Sequence, residues 1–110
     1  MEETLADLTR RITVLRDMML DAHARHGLEL LERGVGEDDG AAVDAGIETI
    51  RSVLAESGER LAIGNDCRVR LSIGLWRRYQ DTGNVGDLEE AISVGTEVAG
   101  RRWAADERAG

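Results

Sequence analysis

The chain has 110 residues, which is enough for one folded unit with a single hydrophobic core. Its 22 acidic and 14 basic residues give a net charge of -8, which argues against nucleic acid or an anionic membrane surface as the main partner. The apolar content of 42% is too high for a disordered chain. A single cysteine, Cys67, excludes an intramolecular disulfide.

The composition also predicts the fold class. Proline and phenylalanine are absent, whereas alanine, leucine, glutamate and arginine are abundant, and these four residues favour helix over strand. The acidic N-terminus lacks the apolar core of a signal peptide, and no apolar run approaches the roughly 20 residues of a membrane span. We therefore expect an all-α cytoplasmic protein whose single domain covers residues 1–110.

The first predicted helix covers residues 3–33. Its apolar positions alternate in steps of three and four, the spacing of a heptad seam: Leu5, Leu8, Ile12, Leu15, Met19 and Ala22. We favour the interpretation that this stripe is one face of a long helix packed within the chain. The alternative is a homodimer seam formed by Leu8, Ile12, Leu15 and Met19.

A glycine-containing acidic loop is predicted next, before a second helix over residues 41–56. The buried face of this second helix is expected to comprise Val43, Ile47, Ile50 and Val53 or Leu54. A second hairpin is predicted over residues 67–100, and Asp87 is expected to cap its last helix. The first helix of that hairpin has two apolar stripes, which predicts that it lies between neighbours.

The chain compares with itself at an offset of 45 residues. Apolar positions then coincide with apolar ones, and small positions with small ones: Leu28 with Ile73, Leu31 with Trp76, Val43 with Leu88, Gly46 with Ala91, and Ile47 with Ile92. The small residue of each copy is expected to let a partner helix approach closely. A period of this length with helical content indicates a helical-repeat architecture.

The second copy also resembles a known family. It contains the stretch LSIGLWRRY at residues 71–79, then DTGN at 81–84 and GDLEEAI at 86–92. These segments resemble the tetratricopeptide-like repeats of high-GC bacteria, which often accompany signalling or caspase-like peptidase domains. The resemblance implies four helices in two antiparallel hairpins, and it implies recognition of another protein rather than a reaction.

Aromatic and arginine side chains cluster near the end of the third predicted helix. They are the candidate partner-binding residues, because aromatic residues and arginine are enriched at binding hot spots: Trp76, Tyr79, Arg70, Arg77 and Arg78. We predict a small interaction module that binds a partner segment in a groove, with an acidic part of that segment meeting the arginines. No cofactor is implied.

One cluster in the first helix carries a competing hypothesis. Asp21, His23 and His26 could bind a metal or serve a small helical enzyme or enzyme helper subunit. The histidines are three residues apart, whereas helical zinc motifs place them four apart, so we expect no metal site. A further alternative is a small-ligand pocket lined by Met18, Met19 and Trp76.

Overall fold

The computed structural model describes residues 4–58 and 61–109, with side chains described as far as Arg101. This part of the chain contains four helices and no strand: α1 (Leu5–Gly36), α2 (Gly40–Ser57), α3 (Gly64–Thr82) and α4 (Val85–Ala109). The prediction of an all-α fold with four helices is confirmed. None of the helices in the described ranges combines the length and the apolar character needed to cross a membrane.

Local hydrogen bonds define the helix ends. Thr4 and Asp7 form a capping box at the start of α1, and the Asp39 side chain accepts the Ala42 N–H at 3.2 Å at the start of α2. At the start of α4, the Asn84 Oδ1 atom accepts the Gly86 N–H at 2.9 Å. Asn84 therefore provides the side-chain cap that was predicted for Asp87, because α4 begins three residues earlier than expected.

Helices α1 and α2 run antiparallel, because contacts that move back along α1 move forward along α2. Gly34 lies against Val43, Leu31 against Gly46, and Gly27 against Ile50. Helices α3 and α4 are also antiparallel: Arg78 pairs with Asp87, and Arg68, further back in α3, pairs with Glu97. Each pair is joined by a connection of only two or three residues.

Helix α3 packs on the α1–α2 pair through a close contact at Gly74. A Cβ atom at Gly74 would lie 2.7 Å from Leu31 Cδ2 and 3.6 Å from Ile47 Cγ1, so a larger residue would displace α3. On the other side, a Cβ atom at Gly46 would lie 2.7 Å from Leu31 Cγ. Leu31 is therefore enclosed between two glycines of different helices. The close approach expected at Gly46 is confirmed.

The hydrophobic core lies mainly where α1, α2 and α3 meet, and α4 contributes Ala91. Its buried members are Leu20, Ala24, Leu31, Val43, Ile47, Ile50, Val53, Cys67, Leu71, Leu75 and Ala91. The predicted buried face of α2 is confirmed for Val43, Ile47, Ile50 and Val53, whereas Leu54 is only partly buried. Of the two apolar stripes of α3, the one that contains Leu71 and Leu75 is buried, whereas Ile73 and Trp76 of the other are exposed.

The first half of α1 extends beyond the other helices. Helix α1 has 32 residues and α2 has 18, so α2 ends beside Leu20 and leaves residues 5–19 uncovered. We call residues 5–19 the arm; at 1.5 Å per residue it is about 22 Å long. The interpretation of the whole α1 stripe as a face packed within the chain is therefore wrong for the arm, because α2 is too short to cover it.

Candidate functional site

A groove runs along the outer face of the second hairpin. Small residues let α3 and α4 approach closely at its floor, where the Ser72 hydroxyl donates to the Ala91 carbonyl at 2.8 Å. Larger side chains rise on both sides and enclose about 390 Å³. We call this the α3–α4 groove; its walls are Ile73 and Trp76 from α3, and Leu88 and Ile92 from α4.

The four wall residues of this groove have counterparts in the first hairpin. The 45-residue offset places them on Leu28, Leu31, Val43 and Ile47. Leu31 and Ile47 are 1% and 0% exposed because α3 lies over them, whereas Trp76 and Ile92 are 46% and 60% exposed. The α3–α4 groove is therefore the uncovered counterpart of the surface that α3 covers.

The two aromatic residues of α3 support each other at the edge of the groove. The ring centroids of Trp76 and Tyr79 are 5.7 Å apart, and the rings are tilted by 37°. This separation lies within the range of favourable aromatic pairs. Tyr79 is half-buried and does not line the groove, so it positions the Trp76 ring rather than forming a wall.

The predicted partner-binding residue Arg78 is held by carboxylates of its own chain. Its Nε and one terminal nitrogen each donate to an Asp87 oxygen at 2.8 Å, and the other terminal nitrogen donates to Asp44 at 3.1 Å. The hydrogen bonds from the guanidinium lower the pKa of the Asp87 carboxyl. The hydrogen bonds to Asp87 and Asp44 raise the pKa of Arg78. Arg78 thus joins α3 to both α4 and α2.

The other two predicted arginines differ from each other. Arg77 pairs with Asp38 in the α1–α2 connection and with Asp81 at 3.5 Å. Arg70 is exposed, makes no ion pair within the described residues, and lies one helical turn before Ile73. A partner that meets Arg70 needs no rearrangement, whereas one that meets Arg77 or Arg78 has to replace an internal carboxylate.

The arm presents a second apolar surface. Seven large apolar side chains of the arm are 44–81% exposed: Leu5, Leu8, Ile12, Val14, Leu15, Met18 and Met19. These seven include all four residues of the predicted seam. At the base of the arm, a second groove of about 460 Å³ lies between the seam and the end of α2. An ion pair between Arg16 and Glu56 at 3.3 Å borders this base groove.

The residues of the competing hypothesis, Asp21, His23 and His26, do not form a metal site in the described part of the chain. The Asp21 carboxylate accepts a hydrogen bond from Arg25 Nε at 2.8 Å, and both His23 and His26 are exposed. His23 lines the base groove, whereas His26 lies on a different part of α1 and does not line it. In the described ranges, no group of three or more histidine, cysteine, aspartate and glutamate residues is arranged to hold a metal ion.

The cysteine of the chain is buried, and the residues of the remaining alternative, a small-ligand pocket, do not line one cavity. Cys67 is fully buried, and burial raises the pKa of its thiol to about 11, so little reactive thiolate exists at neutral pH. The small-ligand pocket predicted from Met18, Met19 and Trp76 is not formed as a single cavity. Met19 lines the base groove and Trp76 lines the α3–α4 groove, and the two grooves share no residue.

Sequence reasoning named Trp76 but did not identify the walls that surround it. The signal was present in the 45-residue offset, which pairs three of the four wall residues with core residues of the first hairpin and Ile73 with the partly buried Leu28. Comparison with protein-family models, with curated protein sequences and with solved structures finds no match to this chain. The binding hypothesis therefore depends on the geometry of the chain itself.

Proposed function

We propose that this chain is a tetratricopeptide-like protein–protein interaction module that binds a partner α-helix in the α3–α4 groove. The main support for the proposal is that the groove residues are equivalent, at the 45-residue offset, to residues of the first hairpin on which α3 packs. One copy of the apolar pattern is covered by a helix, and the other copy is exposed. A helix is therefore the occupant whose shape the groove is built to accept.

Helix α3 shows the chemistry that such an occupant needs. Its Gly74 lies over Leu31 and Ile47, and its buried neighbours Leu71 and Leu75 complete the contact. By analogy, the partner helix carries a small residue at the crossing point and large apolar residues three or four positions away. This spacing puts the apolar residues on one face of the partner helix.

Charge around the groove adds a preference for one end of the partner. Arg70 lies on the exposed stripe of α3 beside Ile73, at the end of the groove away from the α3–α4 turn. An acidic residue at that end of the partner helix would pair with Arg70 at the rim. Rim pairs contribute little to affinity and more to association rate and orientation, so the apolar walls supply most of the binding energy.

The proposal is tested by selecting helical peptides from a phage-displayed library on the wild-type protein. Enriched peptides are expected to share a small residue flanked by apolar residues at helical spacing. A fluorescently labelled selected peptide should bind at least about tenfold more weakly to Ile92→Glu and to Trp76→Ala, because both changes remove a wall of a buried contact.

The matched control is Ile12→Glu, which changes an isoleucine of similar exposure on the arm. Peptide affinity for this variant should equal that of the wild type. Equal affinity for Ile92→Glu and the wild type, or a library that yields no enriched peptide, would contradict the proposal.

A further inference from the structure

The exposed apolar surface of the arm indicates a second interaction site that is independent of the α3–α4 groove. Five large exposed apolar side chains lie along the seam of the arm (Leu5, Leu8, Ile12, Leu15 and Met19) and Met18 flanks it, giving an apolar area on the order of several hundred Å². Two such surfaces together reach the roughly 1,000 Å² that a specific protein interface needs. The area is therefore sufficient for a stable pairing between two copies of this chain.

The spacing of the arm makes its surface complementary to itself. Taking Leu5, Ile12 and Met19 as heptad position a makes Leu8, Leu15 and Ala22 position d. In an antiparallel pair, a residues pack against d residues, so Ile12 of each copy meets Leu15 of the other, and Leu8 meets Met19. The same patch then serves both copies, as a two-fold symmetric interface requires.

Charge favours the antiparallel orientation over the parallel one. In a parallel pair, the g position Arg11 of one copy would lie beside the e position Arg16 of the other, twice per dimer. Like charges at these flanking positions are destabilising. Antiparallel pairing separates them, because Arg11 then flanks Met18 and Arg16 flanks Thr9 of the other copy.

The base groove adds a place for the end of the second arm. It is lined by Ile12, Leu15 and Met19 of the seam, and it continues to Leu20 and His23 beside the end of α2. In the antiparallel register, Leu8 of the other copy lies at Met19, and its Leu5 lies at Ala22. The tip of each arm thus reaches the groove at the base of the other. We infer that this chain forms a two-fold symmetric homodimer through antiparallel pairing of the arms.

Light scattering coupled to size-exclusion chromatography tests the dimer. The wild type is expected to have twice the chain mass of 12.0 kDa and to dissociate on dilution. Ile12→Glu buries two carboxylates at the centre of the seam, so its dimer should be about a hundredfold weaker or more. Leu15→Glu should have the same effect. Both positions are exposed in the single chain, so the far-UV circular dichroism should show that the helices are retained.

Ile92→Glu is the matched control and should remain a dimer. A wild type that stays monomeric at every concentration would overturn the inference. A dimer that survives Ile12→Glu but is lost in Ile92→Glu would place the contact in the α3–α4 groove and would also overturn it. A ladder of species larger than a dimer would indicate arm-to-groove association between successive copies, which is incompatible with a closed pair.

Disulfide trapping tests the orientation. Leu8→Cys and Met19→Cys proteins are prepared separately and then oxidised alone or mixed. The antiparallel pair should yield a covalent dimer from the mixture and none from Leu8→Cys alone. A covalent dimer from Leu8→Cys alone would indicate parallel arms and would refute the inferred orientation. The native Cys67 does not compete, because it is fully buried.

Discussion

The two hairpins present the same apolar pattern to different surroundings. In the first hairpin, Leu31 and Ile47 lie under α3 and form the centre of the core. In the second, Trp76 and Ile92 occupy the equivalent positions and face solvent. The difference shows that an apolar pattern defines a surface able to pack against a helix. Whether a helix of the same chain packs on that surface depends on the tertiary arrangement, which the pattern alone does not specify.

The sharpest test of this comparison uses two isoleucines at equivalent positions. Ile47→Ala should lower the free energy of unfolding by about 3 kcal/mol or more, because it opens a cavity in the core. Ile92→Ala should change the free energy of unfolding by no more than about 0.5 kcal/mol, because the side chain is already exposed. Urea denaturation of both variants measures the difference.

Similar losses in the two variants would break the comparison, since they would mean that Ile92 is covered in solution. Repeating the measurement in the Ile12→Glu background separates the possible causes. If the loss at Ile92 persists when the arm is disabled, the cover does not come from the arm of a second copy.

Much of the helical layout follows from local signals in the sequence. The buried face of α2 was predictable because its apolar spacing matches the helical period, and glycines at both helix ends flank an acidic connection that supplies the cap of α2. The exposure of the arm was not predictable. It depends on the pairing of α1 with α2, which places the end of α2 beside Leu20. No local pattern in α1 distinguishes the covered half from the uncovered half.

The ion pairs between helices were likewise not predictable from local sequence patterns. Arg78 was predicted to meet a partner, since arginine beside tryptophan is typical of binding surfaces. The structure gives its guanidinium two internal partners, Asp87 and Asp44, of which Asp44 is 34 positions away in the chain. The pair of Arg78 with Asp44 forms only when α2 and α3 have packed together, so sequence spacing carries no signal for it.

The Arg78–Asp87 ion pair joins α3 to α4 and is expected to stabilise the second hairpin. Asp87→Asn should lower the free energy of unfolding at neutral pH by about 2 kcal/mol, since it weakens a charge-assisted hydrogen bond at a side chain that is 6% exposed. The Asp87 pKa is lowered in the folded protein from its ordinary value of 3.8. Its stabilising effect is therefore complete above that value and is lost as the pH falls through the lowered folded pKa.

Thermal unfolding across an acid pH series measures this effect. The wild type should lose stability as the pH falls below about 3.8, and Asp87→Asn should show a smaller loss over the same range. Asp44→Asn is the control, since its side chain is 62% exposed and should contribute much less. An unchanged pH dependence in Asp87→Asn would show that the pair does not stabilise the hairpin.

The smallest expected effect concerns the glycine that lets α3 cover the first hairpin. Gly74→Ala should lower the free energy of unfolding by about 1 kcal/mol, because the new Cβ atom would lie 2.7 Å from Leu31 Cδ2 and the packed contact has to open. Gly100→Ala is the control within a helix, and among the described side chains and the other helices no atom lies within 4 Å of the Cβ it would add. Alanine is preferred to glycine in an open helical position by up to about 1 kcal/mol, so this control should be more stable than the wild type.

Opposite signs of the change in unfolding free energy in the two variants, measured by urea denaturation, would show that close packing of α3 outweighs helix propensity at Gly74. A gain of stability in both would mean that α3 does not lie tightly on Leu31, and the α3–α4 groove would then lose its covered counterpart.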